Sequence, residues 1–199
     1  MEKGKVRFFP AESGVALAEA LIVFPIMVLA VAVCIEFTFV MYQWNSAAKA
    51  MQLAARKLIV SDPVTTDFDT VFAFDPAQGG ELILPNSAVV SVCGAGAAAC
   101  DANELDRLVN GGGPGSVWLG ITAYYPSIEP GDIRITYEQS GLGYHGRPTG
   151  PVVSVRLELL ANPIDFVFLG GLLGIAGFSF PPFTVTATTE DLQSCPGGC

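Results

Sequence analysis

Two carboxylates bracket an otherwise uncharged apolar run near the start of this sequence. Glu19 lies five residues after Gly14, Glu36 lies near the far end of the run, and residues 20–35 between them carry no charge. An ionised carboxylate in an apolar medium is costly unless it is paired. Glu19 is therefore a candidate for a specific contact. Glu36 has two readings, snorkelling to water or contact with a partner helix. The cysteines are the other reactive groups. Cys34 falls inside the run as a small apolar filler. The others form two close pairs, Cys93 with Cys100 and Cys195 with Cys199, an even set in short loops that points to two local disulfides. Neither spacing is the C-x-x-C of a zinc knuckle, and the single histidine, His145 in Gly-Tyr-His-Gly, reads as an exposed loop residue. Asp67, Asp69 and Asp75 lack the spacing and bidentate glutamate of a calcium loop and read as solvated acids. Residues 111–115 (GGGPG) are followed by no lysine and form a turn rather than a phosphate cradle. With no P-loop, H-E-x-x-H or G-x-S-x-G, the expectation is a protein without catalysis, metal or cofactor.

The element that must position both glutamates is residues 14–42, GVALAEALIVFPIMVLAVAVCIEFTFVMY. About 20 apolar residues at about 1.5 Å rise cross the roughly 30 Å hydrocarbon layer. Residues 15–42 are thus long enough for a transmembrane helix, with Pro25 inside it as the expected kink. The segment before residue 15 has Lys3, Lys5 and Arg7 against Glu2 and Glu12, whereas the chain after residue 42 has seven basic and fifteen acidic residues. The positive-inside rule then places the N-terminus in the cytoplasm and residues 43–199 outside. An acidic outer part also argues against nucleic acid as a partner, since that affinity rests on cations meeting phosphates.

Beyond the span the helical pattern continues. Ala47, Met51, Ala54 and Leu58 recur at spacings of three and four, and Asp62-Pro63 ends the run. Tyr42 and Trp44 fall where an aromatic belt meets the outer headgroups. One helix of about 45 residues is expected, its inner half in lipid and its outer, amphipathic half (43–61) against a domain at 62–199. That domain reads as short strands punctuated by glycine and proline. A strand is expected near residues 70–74, another at 88–93, and residues 116–125 are rich in β-branched and aromatic types. Asp101 caps a short helix at 102–109 with Glu104 at the capping-box position. Residues 132–138, 153–159 and 183–189 alternate apolar and polar, which indicates a half-buried antiparallel sheet covered by the long helix. The fold class is α+β. Residues 162–183 are almost wholly apolar but glycine-rich, with Asp165 as the one charge. A hairpin or loop on the membrane or in a subunit contact is preferred there to a second span, with a loop buried in its own domain as the alternative.

The constellation of basic leader, Gly14-Val15-Ala16-Leu17-Ala18-Glu19 and apolar helix resembles the processing site of type IV prepilin-like proteins. Pro25, Glu36-Phe37 and Ala54-Ala55-Arg56 narrow this to the TadE/TadG-like pseudopilins of tight-adherence pili, over roughly residues 14–56. Position 20 departs from the pattern, being alanine where such proteins often carry an aromatic residue. The resemblance implies a pilin-like architecture and a prepilin peptidase that removes residues 1–14 by cutting between Gly14 and Val15. Glycine leaves that scissile bond unobstructed, and the cut leaves an ammonium on Val15. Glu19, fifth in the mature chain, would pair with the ammonium of a neighbouring subunit and set register. The implied function is structural: a minor pilin or pseudopilin that helps initiate, cap or assemble the pilus used in surface attachment. Its implied partners are other pilin subunits, the inner-membrane assembly platform, the peptidase and lipid. The implied location is the bacterial inner membrane, with the outer domain extracytoplasmic. The rival reading takes Ala30-Val31-Ala32 as an ordinary signal-peptidase site that releases a binding domain starting at Val33. An uncleaved, anchored adhesin or sensor is the third.

Overall fold

In the computed structural model, residues 13–73, 75–97, 100–113, 118–148, 150–160, 163–164, 166, 170–171, 174, 178–179 and 182–189 are described. Residues 1–12 lie outside them. So do Cys195 and Cys199, and the second of the two expected disulfides therefore falls outside the described residues.

One helix, α1 (Ser13–Leu58), runs unbroken through Pro25. Its two halves have different surroundings. From residue 14 to 31 every position is exposed, including Leu21, Ile22 and Phe24. Farther along, Ala47, Ala50, Met51, Ala54, Ala55 and Leu58 are all buried. The four positions picked out by their helical spacing, Ala47, Met51, Ala54 and Leu58, thus lie in the core. Small alanines on this face let the helix approach the sheet closely, while Met51 and Leu58 fill the space between. The helix ends as Ser61 Oγ donates to the Lys57 carbonyl at 2.9 Å, just before Asp62-Pro63. Among the described residues, α1 is the one helix long and apolar enough to cross a membrane.

The sheet has strand order β1 (Asn86–Gly94), β2 (Ile133–Leu142), β3 (Val152–Leu159), β6 (Phe183–Thr188), and is antiparallel throughout. Its register stacks Cys93, Ile135, Leu157 and Val185 in one row and Ser91, Tyr137, Val155 and Ala187 in the next. These rows face α1. Ile133, Ile135, Tyr137, Val153, Val155, Leu157 and Leu159 are buried, as their alternation requires. The other face carries Arg134, Glu138, Arg156, Glu158 and Thr184, Thr186 and Thr188, with a loose Arg156–Glu138 pair at 3.9 Å.

Helix α3 (Ala102–Val109) forms where Asp101 accepts from the N–H groups of Asn103 and Glu104, at 2.9 and 3.2 Å. Glu104 pairs with Arg107 at 3.0 Å, so the capping box is half made. After Asn110 the chain turns at Gly111 (φ +90°), where a Cβ would come within 2.8 Å of the Trp118 carbonyl oxygen. Residues 118–125 do not form a strand. They make an isolated bridge at Leu119 and a 3₁₀ turn, Ile121–Ala123, that buries Ile121 and Tyr125.

The strand expected at 70–74 is corrected as well. Helix α2 (Phe68–Val71) occupies that stretch because Asp67 supplies it with a local acceptor: its carbonyl takes the Thr70 and Val71 amides and the Thr70 hydroxyl. Phe68 then turns inward against Phe72 and Tyr137. Within the apolar stretch 162–183, β4 (Pro163–Ile164) pairs antiparallel with β5 (Phe178–Ser179), so the chain doubles back between them. That pairing favours the hairpin over a second span.

Candidate assembly site on the N-terminal helix

Gly14, Val15 and Glu19 occupy the first two turns of α1, on its exposed half. Gly14 has an ordinary helical conformation, and a Cβ placed there would meet nothing within 4 Å. Nothing among the described residues therefore demands glycine at this position. Val15 and Glu19 are four residues apart and share a face, with Leu17, Leu21 and Ile22 exposed around them. The surroundings that this surface suits are hydrocarbon, in which Glu19 would need a counter-charge.

Glu36 is placed differently. Its neighbours Ile35 and Phe37 are 52% and 64% exposed, whereas Glu36 itself is 2% exposed. It lies on the stripe that runs through half-buried Ala32 and Val40 towards buried Ala47, the side turned to the rest of this chain. Seventeen residues separate the two glutamates, which is about 25 Å along a helix and roughly 100° around it. The structure does not bring them together. They lie at nearly the spacing of the two boundaries of a bilayer core.

Cys34 is exposed, not packed as a filler, and lines an apolar groove with Val31, Ile35, Thr38, Phe39 and Tyr42. The Thr38 hydroxyl is satisfied within the helix by the Cys34 carbonyl at 2.9 Å. At the junction of the two halves, Trp44 packs edge-on against Phe183 at 5.5 Å. Lys57, in the last turn, lies 5.8 Å from the centre of the Trp118 ring.

The outer domain holds this helix through groups that spacing alone only partly exposes. Cys93 and Cys100 form a disulfide with Cα atoms 5.0 Å apart, joining the end of β1 to the start of α3. Among the described residues it is the one disulfide; the pairing expected between Cys195 and Cys199 lies beyond them. Tyr137 is fully buried, and its hydroxyl accepts from the Val64 amide at 3.2 Å. Burial pushes that phenol up to about 12. The sequence signal for this contact was slight: a tyrosine on an inward-facing strand position, whose oxygen must find a partner. Asp67 accepts from the Ser91 hydroxyl, and Asp75 caps a 3₁₀ turn by accepting from the Ala77 amide at 2.9 Å, so two of the three aspartates have structural partners.

Comparison with protein families matches residues 14–56 to the model described as TadE-like protein. Searches of the curated proteins and of the solved structures find no match. The matched residues coincide with α1 almost end to end and contain Gly14, Glu19, Pro25, Glu36 and the Ala54-Ala55-Arg56 run. The N-terminal helix of this chain is thus similar to TadE-like proteins over residues 14–56, and a small antiparallel sheet domain follows it.

Proposed function

We propose that this chain is a minor pilin or pseudopilin of a tight-adherence pilus. The observation that carries the reading is that the TadE-like match ends where α1 ends, while the first half of that helix offers only apolar surface and one carboxylate. On this reading residues 1–14 are a leader, 15–42 lie in the inner membrane, 43–61 extend the helix outward, and 62–199 form the extracytoplasmic domain. A prepilin peptidase hydrolyses the Gly14–Val15 bond, leaving a carboxylate on Gly14 and an ammonium on Val15. Open space at Gly14 suits a bond that an enzyme must reach. Glu19 pairs with the Val15 ammonium of the next subunit, and Pro25 gives the helix a point of bending in that packing. Glu36 belongs to a second contact, near the outer boundary. An extracytoplasmic location also suits a second disulfide, between Cys195 and Cys199. The role is structural: assembly, initiation or capping with other pilin subunits and the inner-membrane platform.

The release of a soluble domain at Val33 is disfavoured by the helix itself. Cleavage there would leave a secreted protein beginning with a helix whose Ile35, Phe37 and Met41 are exposed.

Glu19→Ala tests the assignment, with Glu19→Asp as its conservative control. Loss of one partner from a desolvated ion pair costs about 3 kcal/mol, or about a hundredfold in an assembly equilibrium. Glu19→Ala is expected to remain in the membrane fraction while pili counted by electron microscopy nearly disappear. Normal piliation in that variant would remove the assembly role.

A further inference from the structure

The glycine-rich loop around His145 connects β2 to β3 and forms a cavity of about 220 Å³. Phe72, Ile83 and Pro151 give it apolar walls, and Tyr144, His145 and Arg147 line the remainder. A smaller space of about 60 Å³ adjoins it, sharing Phe72, Ile83, His145 and Pro151.

Backbone hydrogen bonds tie the loop to the segment at residues 80–83. His145 donates its amide to the Glu81 carbonyl at 2.8 Å and accepts from the Gly80 amide at 2.9 Å, while the Ile83 amide reaches the Gly143 carbonyl at 3.2 Å. Gly141, Gly143, Gly146 and Gly150 all have positive φ, between +75° and +85°, which lets the loop curl around the cavity without strain. The cations of the outer domain are used unevenly. Arg107 pairs with Glu104, Arg156 with Glu138, and Arg134 donates twice to the Ala95 carbonyl. Among the described residues, the side chains of His145 and Arg147 make no hydrogen bond or ion pair.

We propose that this cavity is a binding site for a small carboxylate borne on a six-membered ring. Arg147 presents the planar fork that matches a carboxylate two bonds at a time, and His145 offers a further ring nitrogen beside it. One permanent cation at the mouth suits a monoanion better than a phosphate dianion. The cavity holds roughly seven waters' worth of volume at about 30 Å³ each, enough for a single substituted ring. Phe72, Tyr144 and Pro151 supply flat surfaces against which such a ring lies. A sugar acid and an aromatic acid share this chemistry. The site is independent of how α1 is processed or assembled.

The test uses the full chain in lipid nanodiscs and saturation-transfer NMR, with empty nanodiscs as the blank. The probes are galacturonate and benzoate, each against its neutral counterpart, galactose and benzyl alcohol. At least one acid is expected to bind, its neutral counterpart at least about tenfold more weakly. Arg147→Gln is expected to weaken binding about tenfold or more and His145→Gln by a smaller factor, while Arg156→Gln on the sheet face leaves it unchanged. Galacturonate alone would assign a sugar acid, benzoate alone an aromatic acid. Binding of neither acid above the blank, equal binding of the neutral counterparts, or full binding by Arg147→Gln would overturn the proposal.

Discussion

Tyr137 ties the segment after α1 to the middle of the sheet with one oxygen. Its hydroxyl takes the Val64 amide, and its ring closes on Phe68 at 5.2 Å. Tyr137→Phe would leave that buried N–H without its acceptor, at a cost of about 1–3 kcal/mol, seen as a lowered melting temperature. The pH dependence follows from the same burial. The folded phenol titrates near 12, above its ordinary value of 10, so its contribution is complete below pH 10 and is lost as pH rises through 12. About two pH units correspond to about 3 kcal/mol. The parent should therefore lose stability between pH 10 and 12, and Tyr137→Phe should show a shallower loss in denaturant titrations over that range. Gly14 is the contrasting case, because its neighbours leave room for a side chain. Gly14→Leu is expected to leave the helix content in circular dichroism unchanged while the leader stays attached. Normal removal of the leader from that variant would show that the glycine is not read. At this scale the sequence marks Glu19 as a lone carboxylate at the start of an apolar run, which is an expectation about assembly. It was silent on burial: nothing in the spacing of Glu36 distinguishes a snorkelling side chain from one that is 2% exposed.

The long helix is two elements joined end to end, one exposed and apolar, the other packed against the sheet domain. Met51 is fully buried at the centre of the sheet-facing stripe. Met51→Ala is expected to cost about 2–5 kcal/mol by thermal melting while leaving membrane association intact, because the lipid-facing half is untouched. The Cys93–Cys100 bridge closes a seven-residue separation at the end of β1. A loop of that length contributes about 2–3 kcal/mol through the unfolded chain, so reduction should lower the melting temperature measurably. The bridge was legible from the close spacing of its cysteines, and the stripe and the sheet from periods of 3.6 and 2, which follow directly from which face is buried. The alternation of Ile133, Ile135 and Tyr137 against Arg134, Thr136 and Glu138 and the stripe through Ala47 and Leu58 are examples. Residues 70–74 failed for a physical reason. Their β-branched and aromatic composition favours a strand, but Asp67 caps a helical turn with its carbonyl and anchors to Ser91 with its carboxylate. Such local hydrogen bonding is invisible to a hydrophobic pattern. The loop around His145 shows the same limit, because its cavity depends on backbone turns at four glycines and not on any motif.

The whole molecule pairs an apolar rod with an acidic outer domain, and the TadE-like match covers the rod alone. The proposed division of labour follows from that asymmetry. In that proposal the rod would insert, be trimmed and pack, and the sheet domain, packed on the rod's second half, would be what the assembled structure displays. On that proposal, the charge asymmetry across residue 42 would orient the chain with its basic leader inside, where a membrane-embedded peptidase would meet it. The most direct test of this account is the mass of the mature chain, extracted from membranes of cells with and without their prepilin peptidase. The account predicts a chain starting at Val15 only when the peptidase is present, with the leader intact in its absence. A chain starting at Val33, or an intact leader in both strains, would contradict it.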